Sequence, residues 1–304
     1  MQKQFKKRVT YLALATAIVA GGISAAQAAP IAADVVFIVD ESGSMSGEHA
    51  WLGGMIGSLE AELTAAGVGV SESNNYGLIG YGATGTHTSA GSGGHAHTVG
   101  GGQWGSAAQL ATATSGLVAS GGFEDGYQAI DYFFDNYTID ANHALNIVLI
   151  TDEDRDVLDG SLSYASILAE IQSHGGLLNA VIDCGFAGSG GAPSSAIGID
   201  SGNNAYLADG AGGYTTTGGG HQSGGCFGTS YANYGQMALA TGGAAWDLGI
   251  LRSGGLNATS FTNAFVDIKV QEIVTIPEPT TLALLGMGLI GFGAISSRRK
   301  QSAA

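Results

Sequence analysis

Basic residues are scarce in this chain. Ten Lys and Arg stand against 25 Asp and Glu in 304 residues, a formal net charge of −15. Of those ten, only Arg155, Arg252 and Lys269 lie away from the two ends. Nucleic acids and anionic lipid surfaces are held through Lys and Arg, so neither is expected as a partner of the body. Cysteine is nearly absent too. Cys184 and Cys226 are the only two, an even pair that in an oxidising compartment implies one disulfide closing a long Gly-rich excursion. The chain has no Gly-x-x-x-x-Gly-Lys-Ser/Thr loop for cradling phosphates. It also lacks a nucleophile elbow, because Gly43-Ser44-Met45-Ser46-Gly47 does not have the Gly-x-Ser-x-Gly spacing.

The two ends have their own composition. Residues 2–8 read Gln-Lys-Gln-Phe-Lys-Lys-Arg, an apolar stretch follows from Val9 to Ser24, and Ala26-Gln27-Ala28 closes it. This is the order of a signal peptide, residues 1–28, with cleavage expected after Ala28. At the other end Ile276-Pro277-Glu278-Pro279 precedes an apolar run from Thr280 to Ile295, and Arg298-Arg299-Lys300 follows. The run is short for a spanning helix, which needs about 20 residues, and the basic cluster would keep its far end in the cytoplasm. Residues 276–304 resemble the PEP-CTERM sorting signal with its short transmembrane helix. That resemblance implies export in a Gram-negative bacterium, an inner-membrane intermediate processed by an exosortase, and delivery to the cell surface or extracellular matrix.

Between the ends, residues 29–275 read as one α/β domain. Asp34 to Asp40, Tyr76 to Tyr81, Leu145 to Thr151 and Leu177 to Asp183 are short apolar runs suited to buried strands. Glu48 to Ala66 places Leu52, Met55, Ile56, Leu59 and Leu63 at helical spacing. Further helices are expected over Ser106–Leu117, Asp125–Tyr137, Tyr164–His174, Tyr231–Ala240 and Thr259–Ile273. Residues 82–102 read as a loop or loose hairpin with a second arm near His95–Val99. Residues 185–225 read as a large Gly-rich loop insertion, and Gly243 to Leu248 as an edge strand. Strands alternating with helices imply a mainly parallel sheet covered on both faces.

In such a sheet, ligands bind beyond the carboxyl ends of the strands. Asp40 closes the first strand, and Asp152 follows the third. Ser42 and Ser44 come after Asp40 on a tight turn around Gly43. Two hydroxyls and two carboxylates make an all-oxygen site, which hard cations such as Mg2+ prefer. Asp40-Glu41-Ser42-Gly43-Ser44 and Val148-Leu149-Ile150-Thr151-Asp152 resemble the von Willebrand factor A (VWA) family and its metal-ion-dependent adhesion site, over roughly residues 33–273. The resemblance implies a Rossmann-like fold and a divalent cation, Mg2+ first with Mn2+ or Ca2+ as alternatives. Ser42 and Ser44 would touch the ion directly, and Asp40 and Asp152 would act mostly through water. The family's Thr after Gly-Gly is missing from Gly121-Gly122-Phe123-Glu124-Asp125. Counting back from Ala129-Ile130 places Glu124 there, and a looser alignment would choose Asp125. Three carboxylates around one ion would hold it well and weaken its pull on an acidic ligand.

Weaker signals remain. Asp152, Asp154, Asp156 and Asp159 form an acidic run that, with Asp125, suits an additional cation, although a solvated loop is the simpler reading. His87, His95 and His97 sit in a Gly-rich stretch; His-x-His can bind Zn2+ or Cu2+, but no Cys or carboxylate lies at convincing spacing nearby, so they read as exposed loop histidines. Glu41, Asp125, Glu153 and Asp154 add negative charge around the site. The expected function is non-enzymatic: cation-dependent adhesion to a protein or to matrix exopolysaccharide. The alternatives are a structural matrix or biofilm component whose cation only stabilises the fold, and a metal-assisted hydrolase, which lacks a visible general base or oxyanion arrangement.

Overall fold

The computed structural model describes residues 30–82 and 93–275. The expected leader, His87 and the C-terminal sorting segment lie outside the described residues. The elements run β1 (Ala33–Asp40), α1 (Ser46–Ala65), β2 (Asn75–Tyr81), β3 (His95–His97), β4 (Trp104–Gly105), α2 (Ala107–Ala113), α3 (Gly126–Asn136), β5 (Ala144–Thr151), α4 (Tyr164–Ser173) and β6 (Leu177–Ile182). Then come β7 (Cys184–Ala187), β8 (Ala196–Asp200), β9 (Asn204–Ala208), β10 (Tyr214–Gly218), β11 (His221–Cys226), a π-helical turn (Tyr231–Gly235), α5 (Gln236–Thr241), β12 (Ala244–Asp247), α6 (Leu248–Arg252) and α7 (Gly255–Thr275).

The fold is α/β. Five strands in the order β12-β6-β5-β1-β2 are parallel. Because side chains alternate across a strand, β1 feeds two cores. Val35, Phe37 and Val39 join Leu52, Met55, Ile56 and Leu59 of α1 and Phe261 and Phe265 of α7. Val36 and Ile38 join Ile130 and Phe133 of α3, Ile167 and Ile171 of α4 and Met237 of α5. Helices on both faces explain why the parallel strands are almost continuously apolar. The parallel arrangement also delivers their carboxyl ends to one edge, where Asp40, Asp152, Asp183 and Asp247 end or directly follow β1, β5, β6 and β12.

The Gly-rich stretch expected as a loop insertion is instead built of strands β7 to β11. β8 pairs antiparallel with β12, β9 with β8, and β10 with β9, so the sheet is extended sideways. Consequently β12, expected at an edge, lies inside the sheet between β6 and β8. The small residues have a packing reason. A Cβ at Gly198 would come within 2.7 Å of both the Ala245 carbonyl and the Trp246 ring, so glycine lets β8 lie against the buried indole. Cys184 of β7 and Cys226 of β11 are disulfide-bonded, closing a sequence separation of 42 residues.

Candidate metal centre

The site begins at the carboxyl end of β1. Asp40 is fully buried at its end. The Ser42 backbone N–H donates to Asp40 Oδ1 at 2.7 Å, and the Thr151 hydroxyl donates to Oδ2 at 2.9 Å. This turn holds Ser42 and Ser44 side by side, their hydroxyl oxygens 3.2 Å apart. The Ser44 hydroxyl donates to Asp152 Oδ1 at 3.0 Å, although 108 residues separate the two.

Glu124 arrives from the loop before α3. Gly82 marks the closeness: with φ at +81°, a Cβ there would lie 3.0 Å from Asp40 Oδ1, 3.2 Å from Glu124 Cγ and 3.6 Å from the Ser42 nitrogen. Glu124 is 2% exposed, and its Oε2 has no hydrogen-bond partner. Burial pushes its carboxyl up to about 8, with help from the charges of Asp40, Glu153 and Asp156. Burial likewise raises Asp40 to about 7, against the pull of the Ser42 and Thr151 hydrogen bonds, and Asp152 adds to the rise. An orphaned carboxylate oxygen beside a second strained carboxylate and two hydroxyls fits a divalent cation. The oxygen spacings agree: neighbouring oxygens around octahedral Mg2+ are about 2.9 Å apart at metal–oxygen distances of about 2.0–2.1 Å.

Asp125 is used elsewhere. Its carboxylate caps α3, accepting the Tyr127 and Gln128 N–H groups. It also takes the Arg155 guanidinium through two hydrogen bonds, of 2.6 and 2.9 Å. Of the two neighbours in sequence, Glu124 faces Asp40 and Asp125 faces Arg155. The residues weighed for an additional cation, Asp125, Asp154 and Asp156, do not share a centre. Asp154 accepts the Thr229 N–H and hydroxyl, both at 2.9 Å, and Asp156 accepts the Glu124 N–H at 3.3 Å.

Two features were invisible in the sequence. Arg252 of α6 donates to Asp152 Oδ2 at 2.9 Å, to the Ser44 carbonyl at 3.2 Å and to Glu48 Oε1 at 2.6 Å. A guanidinium therefore offsets part of the acid at the site. Glu41, expected among the acidic surroundings, turns away from them. Its carboxylate lies 2.9 Å from His95 Nε2 and 3.1 Å from His97 Nε2, and it accepts the Val118 N–H at 2.8 Å. His97 is buried and His95 is half-buried, so neither is an exposed loop histidine.

The PEP-CTERM protein-sorting motif matches residues 275–300. This chain carries an exosortase-type sorting signal. The signal places it among proteins exported in Gram-negative bacteria through a membrane intermediate. No curated protein matches the chain. Among solved structures, proximal thread matrix protein 1 from the mussel byssus, in a form with a zinc-occupied MIDAS motif, is similar at 13% identity and a TM-score of 0.39. That match covers 52% of this chain, which spans only 40% of the mussel protein. An aerotolerance-related membrane protein from Bacteroides fragilis NCTC 9343, with multiple mutations to serines, is similar at 15% identity and a TM-score of 0.41, over 77% of this chain and 98% of that one. Among the described residues, no helix is long and apolar enough to cross a membrane.

Proposed function

We propose that this protein is an exported, surface-sorted interaction module that binds its partner through a divalent cation, without catalysis. Mg2+ is the first choice, with Mn2+ or Ca2+ as alternatives. Ser42, Ser44 and Glu124 would contact the ion, with Asp40 and Asp152 behind them. The partner, a protein or a matrix exopolysaccharide, would supply an oxygen to complete the coordination. The observation that carries this reading is the buried, unpartnered Glu124 Oε2 beside Asp40. An oxygen desolvated at such cost is accounted for by an ion it can ligate.

Binding to purified exopolysaccharide and to immobilised matrix proteins tests the reading, in Mg2+ and in EDTA, with wild type and Asp40→Asn. Retention should require both the ion and Asp40. Capture that survives EDTA contradicts it. A second reading, a matrix component whose cation only stabilises the fold, draws support from Arg252, which already engages Asp152 and the Ser44 carbonyl. In that case EDTA lowers the melting temperature and leaves matrix binding intact.

A further inference from the structure

Glu41 lies on the opposite side of the chain from the oxygen cluster, as alternation at the end of a strand requires. β3 runs antiparallel to β2, with Gly80 opposite His95 and Leu78 opposite His97. The two histidines are two residues apart and therefore share a face. Both direct Nε2 at the Glu41 carboxylate, one at each oxygen, 2.9 and 3.1 Å away. The three donor atoms lie within 4.8 Å of one another.

Gly80 makes the convergence possible. A Cβ there would collide with the Glu41 carboxylate and lie 2.8 Å from His95 Nε2, so the glycine leaves a cradle under the donors. The Val118 N–H donates to Glu41 Oε1 and orients the carboxylate from behind, the kind of support that metal-bound carboxylates receive. Donors around a tetrahedral Zn2+ are about 3.3 Å apart at metal–nitrogen distances of about 2.0–2.1 Å. The two histidine–carboxylate separations, 2.9 and 3.1 Å, are within a few tenths of an ångström of that spacing. His95 is half-buried and its ring nitrogens are enclosed, so an ion would enter by parting the histidine–carboxylate contacts.

We propose that Glu41, His95 and His97 form a second cation site, specific for an imidazole-preferring transition metal of the Zn2+ type and separate from the oxygen site on the other side of the turn. Ligand chemistry sorts the ions: two imidazoles and one carboxylate favour Zn2+ or Cu2+, whereas hydroxyls and carboxylates favour Mg2+ or Ca2+. Residues 40–44 would then lie between two different metals, with Asp40 facing one and Glu41 the other.

The test is calorimetric titration of Zn2+ into the tag-free, exported body of the protein in excess Mg2+, with wild type, His95→Ala and Glu41→Gln. One equivalent should bind to wild type, and each substitution should weaken it by at least about tenfold, the loss that removing even a hydrogen-bonding partner of a ligand brings. Co2+ should give the intense visible bands of a four-coordinate nitrogen and oxygen site in wild type and lose them in His95→Ala. The Mg2+-induced rise in melting temperature should persist in His95→Ala, which also shows that the variant is folded. Zn2+ binding that is equal in wild type and His95→Ala, or absent from wild type, overturns the proposal, and so does a Co2+ spectrum of purely octahedral type.

Discussion

Asp40 and Glu41 are adjacent in the chain and equally buried, yet they lie at opposite ends of the carboxylate range. Burial raises both. For Asp40 the opposing contacts are one N–H and hydroxyl groups, with the Asp152 charge alongside, and the carboxyl is held up at about 7. For Glu41 the hydrogen bonds from His95, His97 and the Val118 N–H outweigh burial and hold it down at about 2. What separates the two is whether protein donors already satisfy the charge. The Glu41 side is self-sufficient and adds a metal as an option. The Asp40 side is short of positive charge, which a divalent cation would supply.

Removing each carboxylate should give the largest contrast. Glu41→Ala strands two imidazoles and a backbone N–H, and breaking a buried polar cluster of this kind costs about 3 kcal/mol or more. Asp40→Asn in EDTA at pH 8 should cost less than about 1 kcal/mol, or stabilise, because it removes a desolvated charge, while abolishing the Mg2+ response. Urea unfolding of both variants measures the difference. Equal losses would erase the contrast.

The two sides should also respond to pH with opposite signs. Asp40 and Glu124 are raised in the fold, so the unfolded chain ionises first. Without metal, their contribution is complete below about pH 4 and is lost as pH rises through about 7 to 8. Glu41 is depressed, so its contribution is present above about 4.5 and is lost as pH falls through about 2. On the proposed reading Mg2+ would bind the ionised carboxylates, so its affinity should rise between pH 6 and 8 and the metal-free decline should flatten. Thermal unfolding across pH 3–9, with Mg2+ or EDTA, displays both arms. An alkaline decline that Mg2+ leaves untouched would refute the reading of the Asp40 side.

A smaller effect is expected from Arg252→Gln. The guanidinium is about a third exposed, so its loss should cost only about 1 kcal/mol. It should strengthen Mg2+ binding, because Asp152 loses a competing cation. Weaker Mg2+ binding would instead make Arg252 a support of the site.

Much of this is legible in the sequence. The parallel strands announce themselves as apolar runs closed by Asp, and the Asp-x-Ser-x-Ser turn together with Asp152 identifies the carboxyl edge. Other features had no local signal. Strands β8 to β10 scatter Ile197, Ile199, Tyr206, Leu207 and Tyr214 among Gly, Ala, Asn, Asp and Thr, and their antiparallel pairing outward from β12 makes them strands rather than loop. The carboxylate partner of His97 is 56 residues away, and Asp152 meets Arg252 across 100 residues. No spacing rule reaches that far. Counting back from Ala129-Ile130 puts Glu124 ahead of Asp125, but nothing in the sequence signals that Arg155, 30 residues on, takes up Asp125.

Titration of Mg2+ into wild type and Glu124→Thr, by calorimetry at pH 8.5 and at pH 6, tests the central claim most directly. At pH 8.5 the third carboxylate should make wild type bind at least about tenfold more tightly, an advantage of about 1.4 kcal/mol. At pH 6 protonation of Glu124 should shrink the gap. Equal affinities at pH 8.5 would contradict the account, because Glu124 would then be no part of a cation site.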